Sequence, residues 1–132
     1  NANKYNLIAC NLASPDMIGH LLPERYNEAL VAYESTANAI SSMVSSALNE
    51  CLTVIITSDH GNIEENTPSH TSNDVLTTVI THSYIKNSTK SPFSINLFDI
   101  APTIIELMGS NSNLTFGNFP DKRFIGKPFI HH

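Results

Sequence analysis

Two short stretches put acids and imidazoles where one ion could meet both. In DMIGH, Asp16 and His20 stand four positions apart, a separation that serves one ion whether the backbone is a tight loop or a single helical turn. In TSDHGN, Asp59 and His60 are adjacent, directly after the apolar β-branched run LTVII, and Gly61 permits the backbone turn that aims both into one cleft. His70, in SHTSN, offers a further ring nitrogen from a loop. Carboxylate oxygen and imidazole nitrogen together suit borderline or hard divalent ions such as Mn²⁺, Zn²⁺ or Co²⁺. Each position also has a plainer reading. Asp59 and His60 fit an Asx-type turn with the ring exposed, where Asn62 is equally at home, and a loop histidine such as His70 is commonly solvated or caps a turn. The residues alone leave both readings open.

The elements that must position these side chains can be read from hydrophobic periodicity. YNLIACNL, residues 5–12, is short and largely apolar and reads as a buried strand ending in the loop ASPD. Tyr26, Leu30, Tyr33, Ala37, Ile40, Val44 and Leu48 recur at spacings of three or four, which predicts a helix over about 23–49 with Pro23 in its first turn. CLTVIITS (51–58) and VLTTVITH (75–82) read as strands, and FDIAPTIIELMG predicts a helix over about 99–108. The tail from Ser110, rich in Asn, Gly and Pro, reads mostly as loop. Strands alternating with helices imply an α/β sandwich with a largely parallel sheet, and ligands of such sheets gather beyond the carboxyl ends of the strands. The two acid-histidine clusters fall there.

Composition narrows the partners. With 132 residues the chain fits one domain, and 41% apolar with 14% charged residues is ordinary for a soluble globular protein. No stretch approaches the length of a membrane span, and the first residues lack the pattern of a secretory signal. A net charge of −5 with seven scattered Lys and Arg offers no basic stripe, so neither nucleic acid nor membrane is an expected partner. Cys10 and Cys51 sit in apolar runs and read as buried reduced thiols, which favours a cytoplasmic location. The glycosylation patterns at Asn87 and Asn113 are discounted, and His131 and His132 look like a tag remnant and are set aside.

Taken together, NLASPDMIGH, TSDHGN, SHTSND and DIAPTIIELMG, in this order and at these separations, resemble the carboxyl-terminal part of the cofactor-independent phosphoglycerate mutase family, within the alkaline phosphatase superfamily. The resemblance covers about residues 4–127 and leads us to expect one metal-binding phosphatase-domain piece over 1–130. The implied fold is a three-layer, alkaline-phosphatase-like α/β sandwich, incomplete for want of its amino-terminal strands. The implied cofactors are two divalent ions, Mn²⁺ foremost, with Zn²⁺, Co²⁺ or Mg²⁺ as alternatives. By resemblance Asp16, His20 and His70 are ligands of one ion, and Asp59 and His60 are ligands of the other. The family moves a phosphoryl group between the two hydroxyls of phosphoglycerate through a phosphoserine.

Several departures temper that reading. The family's nucleophilic serine, an aspartate of its second metal site and its arginine-rich substrate domain match nothing in these 132 residues, so no catalytic residue is assigned and the second site is expected to be incomplete. Ser58 precedes Asp59 where the family usually has alanine, and it is a poor substitute for the nucleophile. GHLL and Ala37 also differ from the usual pattern. The surroundings PDMIGH and HTSN favour a mutase over related phosphopentomutases, while another phosphomutase or phosphatase of the same superfamily, or a non-catalytic metal-binding relative, remain as alternatives. An open sheet edge is expected to draw self-association or a complementing amino-terminal chain.

Overall fold

Pro15 lies in the first turn of α1 (Ser14–Gly19), where a missing backbone N–H breaks no helical bond, and Asp16 in the same turn suits the positive end of the helix. This computed structural model describes residues 5–82, 94–109 and Phe129, which fall into two units, 1–82 and 83–132. The readings placed on Asn87, Asn113, His131 and His132, and on the tail from Ser110 apart from Phe129, lie outside the described residues.

In the first unit, α1 ends at His20, whose N–H returns to the Asp16 carbonyl at 3.2 Å. A turn over 20–25 then puts Leu22 in the interior, and α2 begins at Tyr26 and runs to Asn49. Pro23 therefore belongs to the turn and not to the first turn of the helix.

The helix faces its neighbours with a different stripe from the one its bulky residues trace. Ala29 is buried and Ala32, Thr36, Ile40, Val44, Ala47 and Leu48 are half-buried, whereas Tyr26, Leu30, Tyr33 and Ala37 are exposed. The carboxyl-terminal half follows expectation. At the amino-terminal half, where α2 packs on α1, small side chains let the helices approach closely, and the face turns by about one position.

β1 (Val54–Ile56) pairs with β2 (Thr78–Ile80) in the register Val54↔Ile80, Ile55↔Val79, Ile56↔Thr78. The pair is antiparallel, and among the described residues it is the whole sheet, in place of the expected largely parallel one. The reason lies in residues 57–77, which hold a 3-10 turn (Ile63–Glu65) and loops but no crossover helix to carry the chain back to the first edge. Residues 5–12 are exposed and form no strand, because no described strand stands beside them to take their backbone hydrogen bonds. Cys10 and Cys51 are free as expected but exposed, contrary to the buried setting read from their apolar neighbours.

In the second unit, Asn96 and Asp99 cap one another's backbone ahead of a 3-10 turn (Leu97–Asp99) that runs into α3 (Ile100–Leu107). This matches the helix expected over 99–108. Thr103 is fully buried; its hydroxyl donates to the Asp99 carbonyl at 2.7 Å and accepts the Phe129 N–H at 3.1 Å.

Candidate metal centre

The centre assembles from three backbone segments of the first unit. α1 supplies Asp16 from its first turn and His20 from its carboxyl-terminal cap, four positions apart, the loop after β1 supplies Asp59 and His60, and the loop before β2 supplies His70. The two loops are stitched by an antiparallel bridge, with the Thr71 N–H donating to the Gly61 carbonyl at 2.8 Å.

The side chains converge on one oxygen, Asp16 Oδ1. His70 Nε2 lies 3.1 Å from it, His20 Nε2 3.5 Å and His60 Nε2 3.9 Å. His20 Nε2 and His70 Nε2 are themselves 3.1 Å apart, and the His60 and His70 rings stack with centroids at 3.6 Å. Asp59 stands at the rim, 86% exposed, with its Oδ1 at 3.6 Å from His60 Nε2. All five residues singled out by the sequence are thus brought to one place, the three histidines around a single Asp16 oxygen. Ser58 turns its hydroxyl to the His60 carbonyl at 2.8 Å.

The donor set suits a divalent ion. Two ligand atoms held about 2.0–2.2 Å from one ion lie about 3 Å apart at right angles and about 3.4 Å apart at the tetrahedral angle. The Asp16–His20–His70 triangle, with sides of 3.1, 3.1 and 3.5 Å, has that size. Asp16, His60 and His70 form a second, looser trio whose ligand atoms lie within 4.8 Å of one another. The ring tautomers agree. His20 Nδ1 is 2.8 Å from the Pro68 carbonyl and His60 Nδ1 is 3.1 Å from the Gly61 carbonyl, so each neutral ring donates there and turns its Nε2 lone pair inward.

Charge is balanced at Asp16. Burial pushes its carboxyl up, but the Asn62 amide, donating from Nδ2 at 2.8 Å, and the positive charge of His20, His70 and His60 in their protonated forms together outweigh that and hold it below the ordinary carboxylate value. A carboxylate kept ionised beside inward-facing lone pairs is a cation-binding arrangement.

Asn62 and Glu64 are parts of this site that reasoning from the sequence did not single out. Asn62 is buried, and it presses on α1 so closely that a Cβ at Gly19 would come within 2.6 Å of its Cγ. Glu64 accepts the Asn62 N–H at 2.8 Å and the Asn73 amide at 3.1 Å, and it also accepts the Thr71 hydroxyl. The Thr71 hydroxyl first, then backbone amides including that of Asn62 and the Asn73 side chain, hold the Glu64 carboxyl at about 2 against a smaller opposing effect of burial. Both residues lie inside the DHGNIEE string, but nothing in their spacing tells which polar side chain turns inward.

Residues 1–112 match the Metalloenzyme superfamily, and the chain belongs to that superfamily. Its relatives narrow the class. The chain is 37% identical over 111 residues to the 2,3-bisphosphoglycerate-independent phosphoglycerate mutase of Clostridium kluyveri, covering 81% of this chain and 21% of the relative. It is 35% identical over 115 residues to the enzyme of the same name from Syntrophotalea carbinolica, covering 82% and 21%, and 36% identical over 126 residues to that of Gracilaria tenuistipitata var. liui, covering 84% and 22%. The chain thus spans about a fifth of the length of the curated relatives it matches. No solved structure matches it.

Proposed function

We propose that this chain is the metal-binding portion of a phosphoglycerate mutase, contributing to the interconversion of 3-phosphoglycerate and 2-phosphoglycerate as part of a larger enzyme. The observation that carries the reading is the Asp16–His20–His70 triangle of ion-binding size, with the His20 ring turned by a backbone carbonyl. In this reading Asp16, His20 and His70 hold one divalent ion, Mn²⁺ first among the candidates. Asp59 and His60 contribute to a second ion whose remaining ligands come from outside these residues.

Such ions supply Lewis-acid charge, which lowers the pKa of an attacking hydroxyl and offsets the negative oxygens of a phosphoryl group in transfer. The chain's own residues hold the charge in place. Asn62 keeps Asp16 oriented and ionised, while the Pro68 and Gly61 carbonyls fix the rings of His20 and His60. Ser58, tied to the His60 carbonyl, is not the nucleophile in this reading; that serine lies outside the chain. These residues would then form one part of a three-layer sandwich in a cytoplasmic enzyme. Among the described residues no helix is long and apolar enough to cross a membrane.

Metal content by mass spectrometry, with mutase and phosphatase assays on the same samples, tests the reading. The expected result is bound divalent ion in the wild type, lost in Asp16→Ala and in His70→Ala, with no turnover by the chain alone. Wild-type protein that takes up no divalent ion would overturn it.

A further inference from the structure

We infer that Glu64 is a positioning residue of this centre, its carboxylate clamping together the two loops that carry His60 and His70. The inference rests on reading the cluster as a metal centre. One carboxylate oxygen, Oε2, accepts the backbone N–H of Asn62, two residues beyond His60, at 2.8 Å. The other, Oε1, accepts the hydroxyl of Thr71, the residue immediately after His70, and the amide of Asn73 at 3.1 Å. Each oxygen thus grips a different loop. Asn62 passes the connection to Asp16 through its side chain, so all three ligand-bearing segments are joined through Glu64 and Asn62 together.

Two features single out this role. Gly61 leaves the space the clamp fills: a Cβ there would sit 3.1 Å from the Glu64 Cδ and closer still to its Oε1 and to the Thr71 hydroxyl. The donors also demand two acceptor oxygens, because an N–H approaches one side and a hydroxyl with an amide approaches the other. A glutamine keeps a single oxygen and must turn an N–H₂ toward one of these donors. Glu65 is the natural control, since among the described residues its carboxylate meets the Asn73 amide at 2.8 Å but neither Asn62 nor Thr71.

The test compares wild type, Glu64→Ala, Glu64→Gln and Glu65→Ala as full chains, with two readouts: ring-to-ring NMR contacts between His60 and His70 without metal, and Mn²⁺ affinity by calorimetry. Glu64→Ala is expected to lose the contacts and to weaken Mn²⁺ about 10- to 100-fold, the usual loss when a partner that orients metal ligands is removed. Glu64→Gln should fall between, and Glu65→Ala should match the wild type. If Glu64→Ala does not fold, the Thr71→Val and Asn73→Ala double variant removes the Oε1 donors and is expected to give the same losses. Unchanged contacts and affinity in the Glu64 variants, or equal losses in Glu65→Ala, would overturn the inference. A wild type that binds no Mn²⁺ while Glu64→Ala still loses the ring contacts would uphold the clamp and overturn the metal reading instead.

Discussion

Asn62 donates to the Asp16 oxygen around which the three imidazoles gather, and it can do so because position 19 carries no side chain. Gly19→Ala would drive a methyl to within 2.6 Å of the Asn62 Cγ, so the buried amide would have to shift from its place beside Asp16. The variant is expected to lose about 1–3 kcal/mol of stability, the ordinary cost of overpacking, and to bind divalent ions more weakly. Urea unfolding checks the first, and an unchanged midpoint would refute it. Acid should act on the neighbouring clamp. Glu64 is depressed from an ordinary 4.5 to about 2, so its contribution is present above pH 4.5 and is lost as pH falls toward 2. Exchange of the Asn62 and Thr71 amides should therefore speed up across that window in the wild type, and Glu64→Gln, which cannot titrate, should lack this step. The candidate ligands could be named from DMIGH, DHGN and SHTSN because metal chemistry restricts which side chains serve, and the fold brings their side chains together. Asn62 and Glu64 could not be, since any of several polar loop residues could have turned inward and only tertiary contact selects among them.

At the level of elements, periodicity predicted that α2 and α3 exist but not how α2 is turned. Ile40, Val44 and Leu48 face inward as their spacing implies, yet Ala29 and Ala32 displace Tyr26, Leu30 and Tyr33 from the packed face. Hydrophobic size marks a stripe; close helix packing selects for small residues, and the two criteria disagree where α1 meets α2. Strand pairing was less legible still, because VII and TVI contain no information about direction; that is set by the path of residues 57–77. What fixes the register is visible only in the folded pair. Thr53 meets Thr81 at 2.9 Å and Thr57 meets Thr77 at 2.8 Å, hydroxyl to hydroxyl, at the two ends of the ladder. A double-mutant cycle of Thr57→Val and Thr77→Val should give a coupling of about 0.2–1 kcal/mol, the usual range for cross-strand pairs. A coupling indistinguishable from zero in urea unfolding would mean that the hydroxyl pair does not hold the register.

For the molecule as a whole, the first unit does not bury its own apolar surface. Among its described residues only Leu22 and Ala29 are buried hydrophobics, while Tyr5, Leu7, Ile8, Val31, Tyr33 and Leu76 are each more than half exposed. Covering one such side chain is worth about 1.5–3 kcal/mol, so a surface with this many has a strong drive to acquire a cover. Residues 6–12 add backbone groups outside any strand pairing to that drive, since a segment without a neighbouring strand offers its N–H and C=O groups to any strand that docks. The chain alone should therefore self-associate, with a sedimentation-derived mass that rises from low to high micromolar concentration. Replacing Leu7 and Ile8 together by Lys should shift the equilibrium toward monomer without touching Asp16, His20 or His70, so metal content per chain should stay at the wild-type value. A wild type that sediments as a monomer at every concentration would refute the argument. A Lys variant that associates as strongly as the wild type would move the sticky surface from residues 5–12 to the exposed side chains of α2 and Leu76.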